Sequence, residues 1–177
     1  MNIISRFFII SDLHLYQAEI HEYEGRPIGY EDLLRKRWNH LVKDTDIVIV
    51  LGDLNFGKAG QLAPYMNSLK GRKIGVRGNH DKKSLSYYMN AGFDCMADEM
   101  KFNDIFGQNI IFSHIPVEVI PEGYINIHGH FHSAQHRETE QYPKEKGYYL
   151  YNPEKNWYNL TPVTLDTFLK KEVIKGI

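Results

Sequence analysis

The chain has 177 residues, 42% of them hydrophobic, and its 21 basic and 22 acidic side chains leave a net charge of −1. That length fits one domain over positions 1–177, able to bury roughly two-thirds of the surface its unfolded form exposes. The near-neutral charge offers no footprint for a long nucleic-acid duplex, and neither a secretory signal nor an apolar run of membrane length is visible.

Cys95 is the single cysteine, so no internal disulfide can form. Without an activating neighbour in sequence it reads as an ordinary buried thiol, which suits a reducing cytoplasm. Small basic clusters, Arg35-Lys36-Arg37 and Lys82-Lys83, read as solvated faces.

In chain order, "RFFIISDLH" predicts a buried strand running into Asp12 and His14. Tyr30, Leu34, Trp38 and Leu41 then recur at helical spacing. "DIVIVLGD" is a second strand, ending at Asp53, and Leu62, Tyr65, Met66 and Leu69 mark a second helix. "KIGVRGNHD" runs into Asn79, His80 and Asp81, followed by a helix over Leu85, Tyr88 and Met89 with Gly92 as its stop. Beyond Phe93 the pattern turns β-like. "NIIFSHIP" carries His114, and "YINIHGHFH" carries His128, His130 and His132. Further strands are expected over 147–152 and 157–160 around the turn "NPEKN", with a loop over 137–146. "TPVTLDTFLKK" predicts a last helix capped by Thr161 or Thr164.

Apolar strands alternating with helices imply an α/β sheet covered on both faces, where ligands collect at the carboxyl ends of strands. All five polar clusters sit at such ends. Imidazole, carboxylate and amide oxygen together suit manganese, iron, zinc, nickel or cobalt better than an all-oxygen calcium or magnesium cage. Asp12 and His14, two apart in an extended segment, share a side, as do His130 and His132. The donors outnumber one ion's needs, and a carboxylate must bridge two cations held roughly 3.5–4 Å apart; Asp53 is the best candidate. Gly52 and Gly78, just before Asp53 and Asn79, allow close backbone approach.

These clusters in order, Asp12-x-His14, Gly52-Asp53, Gly78-Asn79-His80-Asp81, His114 and Gly129-His130-Phe131-His132, resemble the five motifs of the calcineurin-like metallophosphoesterase superfamily. The resemblance spans positions 12–132 and implies a β-sandwich of two mixed sheets flanked by helices. It gives one metal Asp12, His14, Asp53 and His132, and the other Asp53, Asn79, His114 and His130. It leaves His80 for the substrate. A hydroxide held by both ions is then expected to attack phosphorus in line, with no protein nucleophile.

The same residue types have plainer uses. Aspartates after strands are commonly caps or turn formers, and a lone strand histidine is commonly core; company promotes Asp12, Asp53 and His114. His128, one pleat back from His130, is assigned a supporting or packing role, and Asp81 a supporting one beside His80. Arg77 is a candidate phosphate contact, with a surface ion pair as its alternative. The tyrosine-rich stretch 142–158 reads as strand packing before an aromatic platform for a nucleobase. His21, His40 and His136 receive no role.

Protein serine/threonine phosphatases of the superfamily share an Asp-Arg-Gly continuation, whereas this chain reads "GDLNFGKAG". The size and the "SHIP" context look more like its small bacterial or phage phosphoesterases. The expected function is a dimetal phosphodiesterase or phosphomonoesterase for small, nucleotide-like substrates, with manganese as the first metal. A nuclease and a non-catalytic metal-binding scaffold are the alternatives.

Overall fold

The computed structural model describes residues 5–58, 60–132, 140–155 and 159–174. Strands β1 (Phe7–Ile10), β2 (Ile47–Leu51), β3 (Arg72–Val76) and β4 (Cys95–Ala97) run parallel in the order β4-β3-β2-β1. A short β9 (Val163–Thr164) joins antiparallel to β1. The second sheet has the order β5-β6-β7-β8: β5 (Glu99–Ile105) is antiparallel to β6 (Gln108–Ser113), while β6, β7 (Tyr124–His128) and β8 (Tyr148–Leu150) are parallel.

All five predicted apolar runs form strands. β1 and β2 occupy central places because nearly every residue in them is buried, so neither face can meet water. One core draws on both sheets and on helices α2 (Tyr30–Leu41), α3 (Leu62–Asn67), α4 (Leu85–Asn90) and α5 (Leu165–Phe168). Helix α2 buries Tyr30, Leu34 and Trp38 at four-residue spacing, and the Trp38 indole donates to the Lys70 carbonyl. Ser84 caps α4 and Thr164, not Thr161, caps α5, each accepting from the backbone three residues on. Helix α5 continues as a π-helical turn, Leu169–Val173.

The structure departs from the sequence reading in places. Helix α1 (Ile20–Glu24), β4 and β5 were not foreseen. Cys95 is exposed, because β4 is an edge strand whose alternation turns Met96 inward and Cys95 out. The expected strand at 157–160 fails where it is described: Asn159 and Leu160 bend with φ of 43° and 52°. Trp157, Tyr158 and His136 lie outside the described residues. Among the described residues no helix is long and apolar enough to cross a membrane.

Candidate metal centre

Beyond the last residues of β1 and β2 the two segments keep pairing, through Asp12 N to Gly52 O (3.1 Å), His14 N to Asp53 O (2.8 Å) and Leu15 N to Leu54 O (3.1 Å). That extension carries Asp12 and His14 to Asp53. The pairs do not converge by being extended, as the spacing suggested. Asp12 (φ 53°), His14 (48°), Asp53 (50°), His130 (76°) and His132 (43°) all adopt the left-handed region. Each such residue costs on the order of 1 kcal/mol or more, although Asp and His tolerate it better than most. In this curled backbone His14 Nε2 lies 3.7 Å from Asp12 Oδ1.

Close approach at Gly52 and Gly78 is real. A Cβ on Gly78 would lie 2.0 Å from Asp53 Oδ1, and one on Gly52, at φ 80°, would lie 2.6 Å from Gly78 N.

Three imidazoles are oriented alike. Nδ1–H donates outward from His14 to Gln17 Oε1 (2.6 Å), from His114 to Leu51 O (2.7 Å) and from His132 to the Glu154 carboxylate (3.2 Å). Each Nε2 lone pair is thereby turned inward. His14 Nε2 and His132 Nε2 face one another at 3.0 Å, and Asp12 Oδ1 lies 3.5 Å from His132 Nε2. His114 Nε2 meets Asn79 Oδ1 at 2.9 Å and Asp53 Oδ2 at 3.3 Å, while His14 Nε2 is 3.6 Å from the same Asp53 oxygen. Lone pairs facing lone pairs need a proton or a cation between them. Asp12, His14 and His132 form one group able to hold an ion, and Asp12, Asp53 and His114 form another.

The electrostatics agree. Burial opposes ionisation of both aspartates, yet His132 and His114 beside Asp12, and His114 beside Asp53, hold both carboxyls below the usual range. Burial likewise opposes protonation of His114, but Asp12 and Asp53 overcome it and raise it to about 9. The pocket attracts positive charge at its centre.

Several supporting residues were not visible in the sequence. The buried Arg26 donates to the carbonyls of Asp12 (2.7 Å) and Leu13 (2.8 Å) and pairs with Glu154 at 2.6 Å. The Phe56 ring stacks on His14 at 4.9 Å and packs on His80 at 4.8 Å. Arg26 and Glu154 are 128 positions apart, beyond any local pattern, and only the aromatic residue in "GDLNFG" hinted at Phe56.

Other predicted residues fall as follows. His130 donates its N–H to Asp12, and its ring meets His114 edge-on at 5.1 Å. The exposed His80 donates its N–H to Asp53 Oδ1 at 3.0 Å. Asp81 does not serve the His80 ring: its oxygens accept from Leu54 N (3.0 Å) and Gly78 N (2.8 Å), tying the ends of β2 and β3 together. Arg77 pairs with Asp98 at 2.6 Å, the ion-pair alternative. His128 is buried away from the centre, its Nδ1 donating to Gly129 O (3.0 Å), and burial lowers it to about 4, so it stays neutral.

Two mixed sheets carrying this donor set at their strand ends define a class, and the comparisons supply its name. The profile of the calcineurin-like phosphoesterase family matches residues 5–172, and the chain belongs to that family. It is similar to the uncharacterized protein MJ1445 of Methanocaldococcus jannaschii, 31% identical over 181 residues, covering 93% of this chain and 90% of that protein. The Gene 66 protein of Mycobacterium phage D29 is 27% identical over 98% of this chain and 100% of its own length. Among solved structures, the protein of unknown function AQ665 from Aquifex aeolicus superposes with a TM-score of 0.73 at 26% identity, covering 94% of this chain and 99% of that one.

Proposed function

We propose that this chain is a single-domain, cytoplasmic, two-metal hydrolase of small phosphate esters, with manganese the first ion to test. Asp12, His14, Asp53 and His132 would hold one cation, and Asp53, Asn79, His114 and His130 the other, Asp53 serving both. When bound, such ions supply Lewis acidity toward a phosphoryl oxygen and activate water near neutral pH. The donors fit this use: three inward-facing Nε2 atoms and two carboxylates converge with no lysine or arginine among them.

The protein's own contribution is orientation. Outward Nδ1–H bonds fix the tautomers of His14, His114 and His132, so none need reorganise to receive charge. Asp81 locks the loop carrying Asn79 and His80 against the one carrying Asp53. We assign His80 to the phosphoryl oxygen and the departing alkoxide, which its ring would protonate. Its exposed ring, leaning on Phe56 while its backbone is tied to Asp53, supports that assignment.

The observation carrying the proposal is the 3.0 Å meeting of His14 Nε2 and His132 Nε2 beside Asp12. Hydrolysis of bis(p-nitrophenyl) phosphate should require a divalent ion and cease with EDTA, and His80→Ala should lower kcat by about 100-fold or more. Turnover of p-nitrophenyl phosphate under the same conditions separates monoester from diester preference. No turnover of either ester with Mn, Fe, Zn, Ni or Co would overturn the small-ester reading and favour the scaffold.

A further inference from the structure

We propose that the cleft lined by Ile115, His130, Phe131, Gln141 and Tyr142 is a subsite for a planar aromatic ring, nucleobase or aryl, attached to the phosphate. The inference rests on the phosphoester reading of the adjoining centre and names the substrate's organic group. At about 230 Å³ the cleft is smaller than the roughly 300–1,000 Å³ of a whole ligand pocket, and so suits one group of a substrate. Its walls are covalently joined to the centre: Ile115 follows His114, and Phe131 stands between His130 and His132.

The lining is aromatic in a continuous series. The rings of His130 and Phe131 are 5.1 Å apart, Phe131 stacks on Tyr142 at 5.9 Å and 27°, and Tyr142 meets Tyr148 edge-on at 5.1 Å. A half-buried tyrosine backed by other rings offers a planar, low-entropy stacking surface, and the Gln141 amide offers a donor and an acceptor for a ring edge.

The Ile115 wall is preorganised. An isolated exposed isoleucine is ordinary, but this one, 47% exposed, stands on a loop pinned from beneath. Val117 N donates to the buried Asn126 side chain (3.1 Å), which itself donates to Ile111 O and Ser113 Oγ. From the other side the Tyr148 hydroxyl bonds the Val117 carbonyl at 3.1 Å. Tyr148 therefore touches both Tyr142 and the Ile115 loop. A larger cleft of about 560 Å³ shares Ile115 but adds His114, Arg77, Lys82, Asp98 and Glu99. That charged lining suits a polar group, leaving the aromatic group to the smaller cleft.

Calorimetry on the Mn2+-loaded full chain tests this with phenylphosphonate and methylphosphonate, which cannot be hydrolysed. Wild type should bind the phenyl compound about tenfold more tightly. Tyr142→Ala should abolish that ratio, and Tyr142→Phe should keep it. The 5′-phosphonate analogue of adenosine 5′-monophosphate against that of ribose 5-phosphate, equally resistant to hydrolysis, distinguishes a nucleobase from a simple aryl ring. Equal affinity for both members of each pair in wild type would overturn the subsite and leave the phosphoester centre standing. Binding of neither phosphonate nor either nucleotide-type ligand would remove that centre and the subsite with it.

Discussion

At the scale of single residues, the chemistry depends on which nitrogen of each histidine faces inward, and partners outside the motifs decide that. His132 is the clearest case. Glu154 accepts from its Nδ1 while the buried Arg26 holds the same carboxylate, so a chain of three mostly shielded groups runs from the C-terminal half to the Asp12 loop. Carboxylates behind ligating histidines raise ligand basicity, and their loss typically costs 10–100-fold in metal affinity. Glu154→Gln, which preserves shape and an acceptor for Arg26, should weaken Mn2+ binding by about that factor in calorimetry. Unchanged affinity would remove Glu154 from the centre. Every donor named from the sequence lies at this strand-end edge, since each sits in a local motif following an apolar run. Arg26, Glu154 and Phe56 escaped because their partners are set by folding rather than by spacing, and Gln17, only three residues from His14, because a lone glutamine beside a motif carries no signal of its own.

At the scale of elements, the segment bearing Glu154 is itself anchored from the C-terminus. Glu172, buried in the π-helical turn after α5, meets Lys144 and Lys155 at 2.5 Å each. Burial opposes its ionisation, but hydrogen bonds from Lys144 and Lys155 outweigh that and lower its carboxyl to about 2 from 4.5. A depressed carboxylate contributes stability that is full above pH 4.5 and lost as pH falls toward 2. Both lysines are more than 40% exposed, so solvent screening reduces the contribution to about 1–2 kcal/mol at pH 7. Urea unfolding should show Glu172→Gln less stable by that amount at pH 7, with the gap closing as the pH falls from about 4.5 to 2. A gap that stays constant over that interval would rule out the ion pairs as its source. The long apolar strands and α2 were legible because their periodicity is strong. Helix α1 has five residues and one buried position, and β5 alternates faintly, so neither rose above its polar surroundings.

At the scale of the whole molecule, residues from positions 12 to 132 are assembled by a fold whose core cluster draws on both sheets and the helices, with Leu13, Leu15 and Leu54 of that core interleaved among the donors. So large an apolar core is expected to hold the metal-free chain folded, the centre adding to that stability. Asp53→Asn removes one carboxylate from beside Asp12 and keeps an oxygen for the His80 N–H, so the metal-free variant should stay folded, melting within about 4 °C of wild type. Metal binding should then separate the two proteins. Mn2+ at about 100 times its dissociation constant stabilises the native state by about 2.7 kcal/mol, or roughly 5–10 °C for a chain of this size. Wild type should show at least that rise and Asp53→Asn less than half of it, because the variant loses the one carboxylate assigned to both ions. Thermal melts with and without Mn2+ decide the point: a rise in the variant equal to that of wild type would mean that Asp53 is not shared, and the two-cation centre would have to be rebuilt around Asp12 alone.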